Sequence, residues 1–143
     1  MKIAIASDHG GFELKQKLVD YFRLKNMNLD DLGTNSADSV DYPDFADKMA
    51  EYILSSQADL GILICGTGVG ISIAANRHKG IRAALLYNQF VAEMAKKHNN
   101  ANIIVFGGRT MKFDDVVSYI ETFLNTSFEG GRHQARLNKL DKE

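Results

Sequence analysis

The feature that most restricts the fold of this chain is an apolar run that ends abruptly in a glycine-rich loop. Residues 60–65 read LGILIC, and residues 66–70 read GTGVG before an apolar, helix-like segment begins. A run of this length and β-branched content is typical of a buried strand in a parallel sheet. Glycines between a strand and a helix leave backbone N–H groups without partners at the helix N-terminus, where they attract anions. The segment therefore predicts an anion-binding loop, and Cys65, the only cysteine of the chain, directly precedes it.

Strand-like runs alternate with helix-like segments along the whole chain. The other four runs are residues 2–7, 27–32, 81–87 and 103–106. This alternation predicts an α/β fold, a Rossmann-like three-layer sandwich in which helices cover both faces of a five-stranded parallel sheet. We expect the strand order 2-1-3-4-5, whose switch point makes the loops after strands 1 and 3 face each other. Arg109, after strand 5, is expected on the same edge but further along.

The composition restricts the class of protein and its partners. A chain of 143 residues suits one domain, here 1–143. The net charge of −1 gives no basic field for nucleic acid. No apolar stretch reaches the ~18 residues that a membrane span needs, and the strand that starts at residue 2 predicts no signal peptide. A single cysteine fits a reducing compartment, so we expect the cytoplasm.

The glycine loop differs from the common phosphate and nucleotide loops. A dinucleotide fingerprint has GxGxxG after the first strand, and a Walker A loop has lysine after its last glycine. Here GxGxG follows the third strand, and Ile71 follows Gly70, where a cysteine phosphatase would have its arginine. What remains is a thiol beside backbone amides. A helix N-terminus favours a thiolate, and the amides can hold an oxyanion, which suits proton abstraction next to a carbonyl and also acyl transfer.

Arginines elsewhere in the chain point to a phosphorylated substrate. Arg132 and Arg136 lie one helical turn apart, and glycines precede both Arg109 and Arg132. Guanidinium groups on short loops grip phosphate well. A phosphate grip, a base and an anion hole together suggest a sugar-phosphate isomerase, for which His98 or His9 would open the sugar ring. The histidines show no zinc-like spacing, so we expect no metal.

Each of these residues also has a structural interpretation. A lone cysteine that ends a buried strand is usually packing, and His98 lies on an apolar helix face. Arg132 and Arg136 fit the exposed face of a C-terminal helix, while His133 aligns with its apolar residues. Asp8 suits a helix N-cap.

Several segments together resemble one known family, the type B ribose-5-phosphate isomerases, which includes the galactose-6-phosphate isomerase subunits. The resemblance covers nearly the whole chain. It rests on SDHGGF at 7–12, DYP at 41–43, CGTGVGISIAAN at 65–76, GIRAA at 80–84, HNNAN at 98–102, GGR at 107–109 and FEGGRH at 128–133.

The resemblance implies a proton transfer between C1 and C2 of ribose 5-phosphate, without metal or cofactor. It implies that Cys65 is the base, that Thr67 assists the enediolate and that His98 opens the ring. Some relatives use a glutamate as base at the place of Ile71, which cannot serve. The residues implied to bind substrate are Asp8, His9, Tyr42, Gly66, Gly68, Val69, Gly70, Asn99, Arg109, Arg132, His133 and Arg136.

The resemblance also implies a homodimer, possibly paired into a tetramer, with sites shared between protomers. The C-terminal helix, at about residues 131–141, would contribute to the site or to the dimer. Two other functions stay open on sequence grounds. One is an isomerase of a six-carbon sugar phosphate such as allose or galactose 6-phosphate. The other is a non-catalytic phosphosugar-binding module, although such a module needs no base.

Overall fold

The fold consists of five parallel strands, each followed by an α-helix, and a sixth α-helix after the fifth, in a computed structural model that describes residues 1–141. The strands are β1 (Ile3–Ser7), β2 (Leu29–Asp31), β3 (Leu60–Cys65), β4 (Ala83–Leu85) and β5 (Ile103–Gly107). The helices are α1 (Phe12–Leu24), α2 (Tyr42–Leu54), α3 (Val69–Ala75), α4 (Gln89–Lys97), α5 (Phe113–Leu124) and α6 (Arg132–Leu137). A 3₁₀ turn, His9–Gly11, leads from β1 into α1.

Helices cover both faces of the sheet, as the sequence predicts. Helices α1, α4 and α5 pack on one face, around Leu18, Phe22 and Ile120. Helices α2 and α3 pack on the other, around Met49 and Ile71. The three-layer α/β fold class is therefore confirmed. Among residues 1–141, no helix combines the length and the apolarity that a membrane crossing requires.

The order of the strands is 2-1-3-5-4, so the last two are exchanged relative to the expected order. The reason is burial. All five residues of strand β5 are buried, and the strand occupies the interior of the sheet beside β3. Ile103 at its start pairs with Gly61, and Gly107 at its end pairs with Cys65. Strand β4 has three partly buried residues and forms the edge. The exchange brings the loop after β5 directly beside the glycine loop after β3.

Asparagine side chains at the edge of the sheet limit two elements, α3 and β4, and β4 is shorter than the predicted run at residues 81–87. The amide of Asn76 donates to Ala83 O at 2.9 Å and its carbonyl accepts from Ala83 N at 2.8 Å. Asn76 thus takes the place of a neighbouring strand, and α3 ends before it. Asn102 binds Gly80 O and Arg82 N in the same way, which leaves only residues 83–85 of β4 in the sheet.

The C-terminal helix is also shorter than the expected 131–141. After Leu137 the backbone continues with bonds of the 3₁₀ type, from Lys139 N to Arg136 O and from Leu140 N to Leu137 O. At the start of α4, the Asn88 side chain is the N-cap and accepts from Val91 N at 2.8 Å.

Candidate active site

The glycine loop after β3 surrounds the sulfur of Cys65 with backbone. Gly68 has a φ of +81° and stands at the N-terminus of α3, and its N–H donates to Cys65 Sγ at 3.2 Å. The thiol is free and only 5% exposed. A backbone donor aimed at sulfur stabilises negative charge there. The arrangement can therefore support a thiolate next to a loop with further N–H groups.

The loops after β1, β3 and β5 touch backbone to backbone at the carboxyl edge of the sheet. A Cβ on Gly10 would lie 2.9 Å from Gly66 N, and one on Gly108 would lie 2.6 Å from Gly10 O. Gly108 N–H also donates to Cys65 O at 2.8 Å. The loops after strands 1 and 3 are therefore neighbours, as the sequence predicts, and we call the surface around them the crevice. Its floor is formed by these close backbone contacts, which leave no room for side chains.

Arg109 lies next to this floor, closer than the sequence suggested. Its N–H donates to Gly66 O at 2.9 Å, and its Nη1 is 3.3 Å from the position that a Cβ on Gly66 would take. The expectation that Arg109 lies further along the edge is wrong, because β5 and not β4 neighbours β3. An exposed guanidinium therefore accompanies the thiol and the glycine loop.

The other wall of the crevice carries Asp8, His9 and Tyr42. The buried Asp8 carboxylate accepts from Gly11 N at 3.2 Å, so it does cap the 3₁₀ turn. The Nδ1 atom of His9 accepts from Val40 N at 3.2 Å, which assigns the proton of a neutral ring to Nε2. The Tyr42 ring packs against Gly70, where a Cβ would lie 2.7 Å from Cζ. In the loop itself, Thr67 Oγ1 accepts from Val69 N at 3.2 Å.

A second group of predicted site residues lies at the opposite, amino edge of the sheet. His98 is the C-cap of α4, and Asn99 follows it shortly before β5 begins at Ile103. Ile103 pairs with Gly61 at the start of β3, whereas Cys65 pairs with Gly107 at its end. Four residues of strand separate these ends by about 13 Å. One chain thus does not bring this group to the thiol; its members are His98, Asn99, Arg132, His133 and Arg136.

Within the second group, two histidine rings are stacked and share a carboxylate. The rings of His98 and His133 are 4.0 Å apart at 12°. Glu129 Oε2 lies 4.0 Å from His98 Nε2, and Oε1 lies 3.8 Å from His133 Nε2. Burial lowers the pKa of His133, and the nearby His98, Arg132 and Arg136 lower it further while Glu129 opposes them.

These three side chains place potential metal ligand atoms within 4.8 Å of one another. An imidazole binds a metal in its ring plane through the nitrogen lone pair. The two rings are nearly parallel, so their lone pairs do not converge on one position as they stand. The guanidinium groups of Arg132 and Arg136 also disfavour a cation here.

Sequence reasoning missed Glu129. The only signal is its spacing of four residues from His133 in the EGGRH segment. The contact itself depends on tertiary structure, because Glu129 N–H donates to Lys97 O at the end of α4 at 3.0 Å. Arg82 was also missed, although its Nε donates to Asn100 O at 3.0 Å beside Asn99.

Comparison with known proteins identifies the family. The family model of the ribose/galactose isomerases matches residues 3–140. The chain belongs to the ribose/galactose isomerase family. A putative sugar phosphate isomerase of Rickettsia conorii is 50% identical over 138 residues, which are 96% of each chain. The resemblance inferred from the sequence is thereby confirmed.

Solved structures agree in fold along the whole chain. A ribose 5-phosphate isomerase of Thermotoga maritima is 54% identical with a TM-score of 0.96, covering 98% of this chain and 97% of the other. The ribose-5-phosphate isomerase B of Mycoplasma genitalium was solved with bound ribulose-5-phosphate. It is 44% identical with a TM-score of 0.91, covering 97% of this chain and 93% of the other.

Proposed function

We propose that this chain interconverts ribose 5-phosphate and ribulose 5-phosphate through an enediolate, with Cys65 as the base. The observation that carries the proposal is the Gly68 N–H bond to the Cys65 sulfur at 3.2 Å, at the crevice where Asp8 and His9 also lie. The relative from Mycoplasma genitalium, with ribulose-5-phosphate bound, supports a pentose phosphate as the substrate.

The reaction needs one proton to move and negative charge to be held while it moves. The thiolate removes the proton from C2 of the open-chain aldose, and the electrons pass to the C1 oxygen. Gly68 N–H faces the Cys65 sulfur and Val69 N–H faces Thr67 Oγ1, so the remaining N–H groups of residues 66–70 stabilise that oxygen, with Thr67 assisting. A proton then passes from the C2 hydroxyl to the C1 oxygen, and the Cys65 thiol returns its proton to C1. The C2 oxygen keeps the electron pair as a carbonyl, and the thiolate is restored. Asp8, His9 and Tyr42 hold the sugar hydroxyls at the other wall.

The second group of predicted site residues, which lies at the amino edge of the sheet, acts on the same substrate from a second copy of the chain. His98 and Asn99 lie a strand's length from Cys65 in their own protomer, so a complete site requires a partner. We infer a homodimer in which one protomer supplies the thiol, the glycine loop and Arg109. Its partner supplies His98 for ring opening, and Arg132 and Arg136 for the phosphate. A thiolate base suits a reducing compartment, so we place the enzyme in the cytoplasm.

Solvent exchange followed by NMR tests the reaction directly. Ribose 5-phosphate is incubated with the enzyme in heavy water that contains a chelator. We expect ribulose 5-phosphate to form, with deuterium at C1. Cys65→Ala should slow this by about 10²–10⁴-fold, the usual contribution of a positioned base. His78→Asn, a surface histidine paired with Asp47 at 2.7 Å, serves as the control and should keep full activity.

The same assay separates the competing functions. Turnover of allose or galactose 6-phosphate without turnover of the pentose would replace the substrate in this proposal. Binding of ribose 5-phosphate without exchange would indicate a phosphosugar-binding module. Full activity of Cys65→Ala would remove the thiol from the mechanism.

A further inference from the structure

The segment from Glu129 to His133 holds the end of α4 in a fixed geometry. Glu129 N–H donates to Lys97 O at 3.0 Å, immediately before His98. His133 N–H donates to Gly130 O at 3.1 Å as α6 begins. These backbone bonds fix the Glu129 and His133 side chains relative to the His98 ring. The proposed reaction uses neither Glu129 nor the stacking of the two histidine rings.

The two histidines of the pair differ strongly in exposure. His133 is 5% exposed, and its Nε2 has no hydrogen-bond partner among residues 1–141. The His98 side chain, stacked on it at 4.0 Å, is 35% exposed. A substrate therefore has access to His98, while His133 is covered by His98 and by its own helix.

The charges around the pair favour one proton on it and direct that proton to His98. Burial lowers the pKa of His133, and the positive Arg132 and Arg136 of α6 act in the same direction. Two charged imidazolium rings stacked face to face would also repel each other. The Glu129 carboxylate lies 4.0 Å from His98 Nε2 and 3.8 Å from His133 Nε2, so it attracts positive charge to the pair as a whole, and the burial of His133 leaves that charge to the more exposed His98. Lys97 on α4 is paired with Glu93 at 3.9 Å.

We propose that Glu129 and His133 are positioning residues for His98 in ring opening. His133 stays neutral because it is buried, and it supports the His98 ring by stacking, while Glu129 attracts to the pair the proton that His98 carries. This inference rests on the proposed function, and it assigns His133 a role other than direct substrate binding.

The step that the pair serves is the opening of the cyclic aldose. The bond between C1 and the ring oxygen breaks, and its electrons go to that oxygen, which takes a proton from His98. The hydroxyl on C1 loses its proton to water and becomes the aldehyde. Ribulose 5-phosphate has no such ring, because its C5 hydroxyl is esterified. The ring step can therefore be separated experimentally from proton transfer.

Two assays on the same variants make this separation. The first follows isomerisation that starts from ribose 5-phosphate, which needs both ring opening and proton transfer. The second follows loss of the C1 proton of ribulose 5-phosphate to heavy water, which needs proton transfer alone. A residue that only maintains the fold would affect both rates equally.

We expect Glu129→Gln to lower kcat in the first assay at least about tenfold, a part of what a positioned acid–base group contributes. The second assay should change less than about twofold. Glu93→Gln removes a carboxylate from α4 that pairs with Lys97 and is the matched control. It should leave both rates unchanged.

Two substitutions of His133 test the stacking role. His133→Phe keeps a flat ring under His98 and should retain most of the first rate, whereas His133→Ala should lose it as Glu129→Gln does. An equal loss in Phe and Ala variants with a raised KM would overturn the inference, since it would mean that His133 binds substrate. Equal losses in both assays for Glu129→Gln would also overturn it. Absence of exchange in the wild-type enzyme would instead refute the proposed function, and the inference with it.

Discussion

Replacement of Gly68 by alanine tests whether the glycine loop is held as tightly as the structure indicates. The residue has a φ of +81°, where an L side chain costs about 1–2 kcal/mol. Its Cβ would lie 2.6 Å from Leu85 Cδ1 and 3.0 Å from the Phe106 backbone. The leucine tip can move, but Phe106 belongs to the interior strand β5 and cannot, so overpacking adds about 1–3 kcal/mol. We expect a total loss of about 2–5 kcal/mol in the free energy of unfolding.

A matched variant separates backbone strain from steric conflict. Gly130 also has a positive φ, +72°, but a Cβ there would have nothing within 4 Å. Gly130→Ala should therefore lose only the strain, about 1–2 kcal/mol. Urea denaturation followed by far-ultraviolet circular dichroism, at one protein concentration for all variants, measures both losses. Equal losses in the two variants would refute the close packing of Gly68 against β5.

Three further predictions concern an ion pair, a histidine tautomer and a tyrosine–aspartate hydrogen bond. Lys15→Met should lower the free energy of unfolding by about 2–4 kcal/mol in urea denaturation. The fully buried Lys15 ammonium pairs with Asp31 at 2.8 Å, and the variant leaves that carboxylate without its cation. An unchanged free energy of unfolding would contradict this. At neutral pH, ¹⁵N NMR should find the His9 proton on Nε2, since Nδ1 accepts a backbone N–H bond, and a proton on Nδ1 would contradict this. The Tyr52 hydroxyl donates to the Asp30 carboxylate, and this bond holds the pKa of Asp30 below its usual range. The stability from that bond is therefore present above pH ~4, the unfolded pKa, and is lost as the pH falls through the folded pKa. Tyr52→Phe should raise the pKa of Asp30 in an NMR titration, and an unchanged value would rule the bond out.

Local patterns in the sequence were sufficient for the fold class and for the strand, loop and helix around Cys65. The apolar run that ends at Cys65, followed by the glycines, predicts a strand, a loop and a helix, and the structure has them. The crevice between the loops after β1 and β3 follows from the topology of such sheets. Both predictions depend on interactions within one βα unit or between adjacent units.

The strand order was less accessible, because it depends on which strand is better buried. The IIVFG segment of β5 is more apolar than the AAL of β4, a signal that favours β5 for the interior. The general preference of such sheets for the order 2-1-3-4-5 outweighs that difference when only the sequence is known. As a result, the closeness of Arg109 to Gly66 could not be predicted.

Glu129 has only one local signal, its spacing of four residues from His133. It is a single carboxylate in an irregular segment, and its approach to His98 depends on the backbone bond to Lys97 O. The predicted site residues lie at two edges of the sheet because Cys65 precedes the start of α3, whereas His98 stands at the end of α4. Which protomer supplies each residue depends on an assembly that one sequence does not specify.

Complementation between two inactive variants tests most directly whether the thiol and the ring-opening histidine act on one substrate from two protomers. Cys65→Ser and His98→Asn chains carrying different tags are co-expressed, and the heterodimer is purified and assayed with ribose 5-phosphate. One of its two shared sites then has both Cys65 and His98, so we expect about half of the wild-type activity, while each homodimer is inactive. A heterodimer as inactive as the two homodimers would contradict the account.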